Sequence, residues 1–434
     1  MVETDTSVKA PDHELGYANP HGDKYWSIDA DVESVPELAW PNSVRVFDKM
    51  RRTDTQVQSV LKAVTLPIRA TAWRIDPAGA RPEVAEYVAY QLGLPLSEGD
   101  APTPLRRRHR FSWSRHLPQA LRSVALGAAY FEQVVSVTPD RTAPHGHRVD
   151  LRKLAPRPAR TLHDILVARD GGLIGIEQSP PAQVFGLRSK EAATVRSGDP
   201  ILIPVNRLIA YVHELEDSDW AGTSILRTAY KNWLLKERLL RIETMAIDRN
   251  GVGIPDYEAP EGATQKDIAK GKEMANAYRA GDQSGLSRPA GSKFTLRGVQ
   301  GLLMPARPAI EYHDAQIGRA ALAHFLNLDG AGGSYALAST QADLFVTGVH
   351  GTAVEVRDTA QAHLVEDLVD WQFGPEEPAP KLVFDDIGSS DMAIAQAIRT
   401  LVDSGVISPD GRLENWTRRS LGIPDAEDLG KDDS

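Results

Sequence analysis

The chain has 434 residues, a formal net charge of −10 and no cysteine. Without cysteine, disulfides and thiolate metal sites are excluded, and no apolar run approaches the roughly 20 residues of a membrane span. The first twenty residues have neither a basic start nor an apolar core, so we expect a polar arm there and no signal peptide. The length predicts two to four subdomains.

The first half of the chain mixes helical and strand patterns. Residues 43–70 carry apolar residues at helical spacing, residues 71–77 alternate like a strand, and residues 82–94 predict a second helix. Residues 117–137 predict a helix, a Gly-Ala break and a strand rich in aromatic and β-branched residues. Short strand patterns follow over 148–212, so we expect one α+β domain.

The second half is dominated by long helices. Residues 223–251 predict one uninterrupted helix, with Thr223 or Ser224 as N-cap and Asn250-Gly251 as its end. The other predicted elements follow in chain order: an insert with a polar helix and a strand over 251–303, a helix over 309–328, a helix over about 340–371, a break at 375–380, and short helices over 389–407 and 414–424.

The charge is distributed unevenly along the chain. Residues 221–328 carry 15 basic and 11 acidic side chains, a local charge of +4, so the flanks are acidic. The segment "LRRRHRFSWSRH" (105–116) interleaves five arginines with Phe111 and Trp113, a composition typical of nucleic-acid binding. A basic surface segment that pairs with an acidic neighbour is the alternative, and the acidic flanks favour it.

The glycine-rich stretch "FLNLDGAGGSYALAST" (325–340) suggests a phosphate-binding loop, but its context does not. A P-loop requires a lysine followed by a hydroxyl residue, and Ser334-Tyr335 stand there instead. A dinucleotide-binding loop must follow a strand, whereas the preceding residues predict a helix. We therefore expect a loop whose function is not nucleotide binding.

Candidate catalytic or metal-binding residues are few. The segment "HELEDSD" (213–219) is more typical of a solvated loop before a helix than of a metal site. Glu311, His313 and Asp314 share a helical segment and form a candidate acid–base cluster. The favoured alternative is that they belong to an exposed or inter-subunit polar face. Asp385-Asp386 has no partner carboxylates at a matching spacing. The sequence predicts no enzyme, no metal and no cofactor.

The order of the parts resembles the portal proteins of tailed double-stranded DNA bacteriophages. The resemblance spans nearly the whole chain and is carried by an ordered set of segments, none of them diagnostic alone. They are "ALGAAYFEQVV", "DWAGTSILRTAYKNWLLKERLLRIETMAIDRNGVGIP", "YHDAQIGRAALAHFLNL" and the glycine-rich loop. The chain is most similar to portals with a short clip and a small crown, and also to the portals of Mu-like phages.

The resemblance implies an α+β portal fold that forms rings, with an α/β wing, a two-helix stem, a small α/β clip, a tunnel loop, a long helix and a helical crown. Its implied parts are a flexible arm (1–25), the wing (26–222), a stem helix (223–250), the clip (251–304), a second stem helix (305–328), the tunnel loop (329–341), the long helix with its return to the wing (342–385), and the crown with an acidic tail (386–434).

Three groups of site residues follow from the resemblance. The tunnel loop would line the channel with Gly330, Gly332, Gly333, Ser334, Tyr335, Ser339 and Thr340. The basic surface of the clip would consist of Lys266, Lys270, Lys272, Arg279, Arg288, Lys293 and Arg297. Packing between the stems of neighbouring subunits would use Leu226, Tyr230, Trp233, Leu234 and Leu240.

The resemblance also implies the function and the partners. The chain would form a dodecameric ring at one capsid vertex and conduct double-stranded DNA, without sequence preference, during packaging and ejection. Its partners would be the terminase motor, the head–tail adaptor, and the major capsid and scaffolding proteins, with assembly in the host cytoplasm and no membrane. The alternatives are a helical interaction scaffold without catalysis and, less favoured, a metal-dependent nuclease.

Overall fold

The computed structural model describes residues 33–97, 109, 111–180, 200–252, 254–277, 290–297, 305–320 and 335–387. The chain divides into two compact units. The first unit contains residues 1–49, 61–224 and 335–434, and the second contains residues 50–60 and 225–334. Both helices and strands occur in each unit, which confirms the α+β class.

The helices in chain order are α1 (Asn42–Thr53), α2 (Thr55–Ala70), α3 (Pro82–Leu92), α4 (Trp113–Ala120), α5 (Arg122–Leu126), α6 (Tyr230–Val252), α7 (Gln265–Ala277), α8 (Arg307–Ala320), α9 (Tyr335–Ala360) and α10 (Glu366–Phe373). A π-helical segment, Gln361–Val365, joins α9 to α10. The strands are β1 (Trp73–Asp76), β2 (Ala128–Pro139), β3 (His147–Arg157), β4 (Leu162–Val167), β5 (Leu173–Gln178), β6 (Ile201–Pro204), β7 (Leu208–Val212), β8 (Ile254–Glu258), β9 (Lys293–Arg297) and β10 (Lys381–Phe384).

The first unit contains three antiparallel sheets with the strand orders β3-β2-β7, β4-β5-β6 and β1-β10. Buried residues of the first two sheets meet in one cluster that includes Tyr130, Ile176 and Leu208, and Trp40 and Trp220 pack against it. Strand β10 was missed from the sequence because its four residues directly follow a proline-rich break and give too short a pattern.

Two glutamine side chains, buried Gln372 and half-buried Gln361, attach helical segments to strand segments of this unit. Gln372 of α10 accepts a hydrogen bond from Val149 N (2.7 Å) and donates one to His147 O (3.2 Å). Gln361 does the same on β10, with Leu382 N (2.9 Å) as donor and Pro380 O (3.1 Å) as acceptor. A side-chain amide thus satisfies strand groups that would otherwise be buried without partners.

Two segments that carry the sequence resemblance meet in the first unit. Gly127, from "ALGAAYFEQVV", and Gly222, from "DWAGTS", have φ angles of +91° and +66°. A Cβ atom on Gly127 would lie 2.4 Å from the Gly222 carbonyl oxygen, and one on Gly222 would lie 2.5 Å from that of Gly127. Only glycine permits both the backbone conformation and this approach.

Hydrogen bonds next to this contact show that the long helix starts later than expected. Ser224 does not cap it, because its hydroxyl donates a hydrogen bond to Ala125 O (2.8 Å) and Thr223 N bonds to His213 O (2.9 Å). Helix α6 therefore begins at Tyr230. The predicted helix over 43–70 is two helices, since Asp54 interrupts it and caps α2 through hydrogen bonds from Gln56 N (2.8 Å) and Val57 N (3.1 Å).

The second unit contains the helix pair α6 and α8 and a small α/β part. Strands β8 and β9 pair antiparallel from Ile254↔Arg297 to Glu258↔Lys293, and α7 packs on β8. The helix packs closely because Gly271 faces the Tyr257 ring, where an added Cβ would lie 2.0 Å from the nearest ring carbon. The predicted polar helix and strand of the insert are confirmed.

Candidate functional site

One side of α6 is joined to α8 by polar side chains. His313 Nδ1 lies 3.1 Å from Asn232 Oδ1, so this ring nitrogen is the donor. Lys236 Nζ lies 2.5 Å from Asp314 Oδ1, and Arg307 Nε donates to Glu243 Oε1 at 2.8 Å. From the Lys236–Asp314 pair to the Glu243–Arg307 pair, the residue numbers rise on α6 and fall on α8, so the two helices are antiparallel.

Lys236 is the centre of this polar side, with 6% of its surface exposed. Its ammonium also donates to Asp54 Oδ2 at 2.9 Å, so it is held by two carboxylates. Burial alone lowers the pKa of Lys236, but the bonds and charges of Asp314 and Asp54 outweigh burial, and the net pKa is raised. The lysine is therefore charged at neutral pH.

The opposite side of α6 exposes large apolar side chains. Leu234, Leu235, Ile242 and Met245 are between 38% and 57% exposed. At about 100° per residue they fall within an arc of about 100°, roughly opposite to the residues that face α8. Ile247, 63% exposed, lies outside this arc, on the side of the residues that face α8. The four residues within the arc form an apolar surface of α6 that is available to another protein.

The five predicted stem residues differ in exposure and form three groups. Leu226 and Trp233 are buried within the single chain, at 1% and 4% exposed, so they offer little surface to a neighbour. Tyr230 and Leu240 are half-buried, and Leu234 belongs to the exposed apolar side. The inter-subunit role of the five stays a prediction, and the apolar neighbours of Leu234 were missed because their exposure is not visible in a sequence.

The predicted basic surface of the clip lies on α7 and β9. Lys266, Lys270 and Lys272 are exposed on α7 and Lys293 is exposed on β9, whereas Arg297 forms an ion pair with Asp256 at 2.5 Å. The two remaining members, Arg279 and Arg288, lie outside the described residues.

The predicted tunnel-loop residues are mostly outside the described residues; this applies to Gly330, Gly332, Gly333 and Ser334. Tyr335, Ser339 and Thr340 lie in the first turns of α9, not in a loop as expected. Helix α9 begins at Tyr335, upstream of the predicted start near residue 340. Their place along a channel stays a prediction.

The acid–base candidates have other partners. Asp314 binds Lys236 and His313 binds Asn232, so these two are engaged between helices, while Glu311 is exposed. Within the described part of the chain, no group of three or more His, Asp or Glu side chains could hold a metal ion. His313 and Asp314 are thus occupied by contacts between α6 and α8.

Several of the other candidate site residues within the described ranges also have partners in their own chain or are buried. His213 Nδ1 lies 2.9 Å from Glu355 Oε2, and Asp219 Oδ1 accepts from Ala221 N at 3.0 Å. Asp385 forms an ion pair with Arg74. Trp113 is buried and its ring lies 5.7 Å from that of His116, so it cannot stack on a nucleobase, and Arg106–Arg108 and Arg110 lie outside the described residues. Among the helices of the described ranges, none is long and apolar enough to cross a membrane.

Two solved structures with a similar fold come from gene transfer agent particles. A chain from the neck of an empty gene transfer agent particle, computed with C6 symmetry, is 13% identical, with 88% of this chain and 94% of that chain covered and a TM-score of 0.53. A chain from the virion of a native gene transfer agent particle is also 13% identical, with the same coverage and a TM-score of 0.51. The family model described as the portal protein of Mu bacteriophage matches residues 44–423. This chain therefore belongs to the portal proteins of the Mu bacteriophage family.

Proposed function

We propose that this portal protein assembles into a closed dodecameric ring at one vertex of a virion capsid. The ring conducts double-stranded DNA during packaging and ejection and has no catalytic role. In this proposal α6 and α8 form the stem, residues 251–304 the clip, residues 26–222 the wing and residues 386–434 the crown. The observation that carries the proposal is the exposed apolar side of α6.

An exposed apolar surface of this kind is costly for an isolated chain. Burying one large aliphatic side chain contributes about 1.5–3 kcal/mol, and four such residues lie together on α6. A neighbouring copy can cover them while its own α6 stays available to the next copy. Contacts of this heterologous type close into a ring when the rotation between copies is right.

The charges suit a channel in which DNA slides. Strong basic surfaces bind phosphate tightly and in a salt-dependent manner, whereas the segment 221–328 carries a local charge of only +4. On α6, Arg241 is exposed but lies near Glu237, at 4.0 Å. Such a balance favours weak contact with the DNA backbone that is independent of sequence.

The exposed lysines of α7 and β9 mark the surface that we assign to docking. In the proposal, the terminase motor binds the clip during packaging, and the head–tail adaptor replaces it afterwards. The wing contacts the major capsid and scaffolding proteins. Both similar structures come from particles, one of them from a neck, which agrees with a position at the portal vertex.

The ring is tested by electron microscopy of the purified protein at several salt concentrations. We expect rings with a central hole for the wild type. The double variant Leu234→Glu/Ile242→Glu should leave folded single chains, whereas Leu66→Glu, at an equally exposed apolar site on α2, should still form rings. Wild-type chains that never form rings would refute the ring, and rings of the double variant would refute the role of α6.

A further inference from the structure

The buried ammonium of Lys236 on α6 connects this helix with α8 and with the residue that caps α2. It donates to Asp54, which is also the N-cap of α2, and it forms an ion pair with Asp314 of α8. One buried cation therefore joins the N-cap of α2, the second turn of α6 and the middle of α8.

Buried ion pairs are poor sources of stability, because the cost of removing two charges from water can exceed their attraction. Their better-attested effect is to specify one alignment of helices among several, as a single polar residue does in a coiled coil. The question for Lys236 is therefore which alternative alignment it excludes.

Sliding α8 along α6 by one turn, about four residues, is the nearest alternative alignment. Such a shift would place Ile310 or Glu311 beside Lys236 in one direction, and Ile317 or Gly318 in the other, in place of Asp314. It would also place Leu239 or Ile247 beside Arg307 in place of Glu243. The ion pair between Arg307 and Glu243 would be lost in either direction. A shift that brings Ile317 or Gly318 beside Lys236 would also leave Lys236 with Asp54 alone.

The apolar residues between these helices discriminate less. Ile310 and Ile317 are the large apolar residues of α8 that are buried, and a shift by one turn exchanges one aliphatic contact for another. Apolar contact is not directional. The polar side chains are thus what distinguishes the observed alignment from its neighbours.

We propose that the Asp54–Lys236–Asp314 cluster is a register lock that fixes the axial position of α8 along α6. The chain continues from α8 at Ala320 directly into residues 321–334, so the lock also sets the point from which that segment starts. Interfaces of this kind move by whole turns when they move, because packed helices have discrete arrangements.

Two spin labels test the lock by measuring the alignment itself. The chain has no native cysteine, so Thr244→Cys on α6 and Arg319→Cys on α8, both exposed, can be labelled cleanly. With Glu243 beside Arg307, these sites lie roughly 20 Å apart along the helix axes. Dilution with unlabelled chain removes distances between copies, and double electron–electron resonance then reports the separation within one chain.

The wild-type background should give one distance. Lys236→Met should add a second population displaced by about 5 Å, one helical turn, and Asp314→Asn should give a smaller fraction of the same population. Lys231→Met, the same change at an exposed lysine of α6, should leave one distance. A single unchanged distance in Lys236→Met would overturn the lock, and if that variant does not fold, an unchanged distance in Asp314→Asn would overturn it.

Discussion

His116 in the first unit and Lys236 in the second are buried to a similar degree, with 3% and 6% of their surfaces exposed. The pKa of His116 is lowered to about 3, because burial disfavours its charged form and its described neighbour is the neutral Tyr211 hydroxyl, 3.0 Å away. The pKa of Lys236 is raised, because two carboxylates outweigh the effect of burial. The available partners, more than the burial, determine whether a buried basic group is charged.

The close contacts of glycine also differ between the two units. In the first unit, the backbone atoms of Gly127 and Gly222 contact each other directly. Because both backbones are also hydrogen-bonded to neighbouring segments, they cannot move apart without losing those bonds. In the second unit, Gly271 faces the ring of Tyr257, which has side-chain torsions of its own. At these contacts the first unit is thus fixed by its main chain, and the second by a side chain.

Replacing Gly127 by alanine should have the largest effect. The added Cβ would meet the carbonyl oxygens of Ala221 and Gly222, each at 2.4 Å. We expect a loss of several kcal/mol in the free energy of unfolding, more than the roughly 1–2 kcal/mol that left-handed backbone costs a non-glycine residue. Urea denaturation followed by circular dichroism measures the difference.

Gly79→Ala is the matched control for this change. Gly79 has the same φ of +91°, but nothing lies within 4 Å of its added Cβ. It should therefore show the backbone cost alone. Equal losses at Gly127 and Gly79 would mean that the close approach to Gly222 adds nothing, and the main-chain view of the first unit would be wrong.

Replacing Gly271 by alanine should have an intermediate effect. The Cβ would overlap the Tyr257 ring, and overpacking of this kind costs about 1–3 kcal/mol, of which the better helix propensity of alanine returns about 1 kcal/mol. Hydrogen exchange of the β8 and α7 amides should accelerate, with no change in the strands of the first unit.

Gly351→Ala on α9 is the helical control, because nothing lies within 4 Å of its added Cβ, and it should be neutral or stabilising. The double variant Gly271→Ala/Tyr257→Leu should recover part of the protection. Exchange that stays at the wild-type rate in Gly271→Ala would show that the ring moves aside at no cost.

The sequence predicted the parts of the fold that depend on local pattern. The period of apolar residues located α3, α9 and β2, and the order of elements indicated the family. Contacts between distant residues were not accessible in this way. Nothing in the sequence pairs Gly127 with Gly222, and nothing pairs Lys236 with Asp54 and Asp314.

The candidate site was predicted in outline only. The resemblance assigns five residues to packing between stems, yet Leu226 and Trp233 are buried in their own chain while Met245 is exposed. An apolar side chain tends to be buried, but only the fold determines whether its own chain or a neighbouring subunit buries it. Lys236 had one usable signal, a lysine between the apolar pairs of "WLLKERLL", and Asp54 had another, an N-cap residue inside a helical pattern.

Replacing His116 by glutamine should have the smallest effect at neutral pH and a growing one in acid. The folded-state pKa is about 3 and the ordinary value is 6.5, so the unfolded chain binds the extra proton between these values. Stability is therefore lost as the pH falls from 6.5 towards 3, by up to about 1.4 kcal/mol per pH unit for one proton.

His116→Gln removes this proton and should flatten the profile of unfolding free energy over that window, while His163→Gln, at an exposed histidine of β4, should leave the slope unchanged. Urea denaturation at pH 7, 6, 5 and 4 measures the slopes, and their difference from wild type cancels the carboxylates common to all three chains. Parallel profiles for His116→Gln and wild type would mean that His116 accepts a proton in the folded state, and the contrast with Lys236 would then rest on its carboxylates alone.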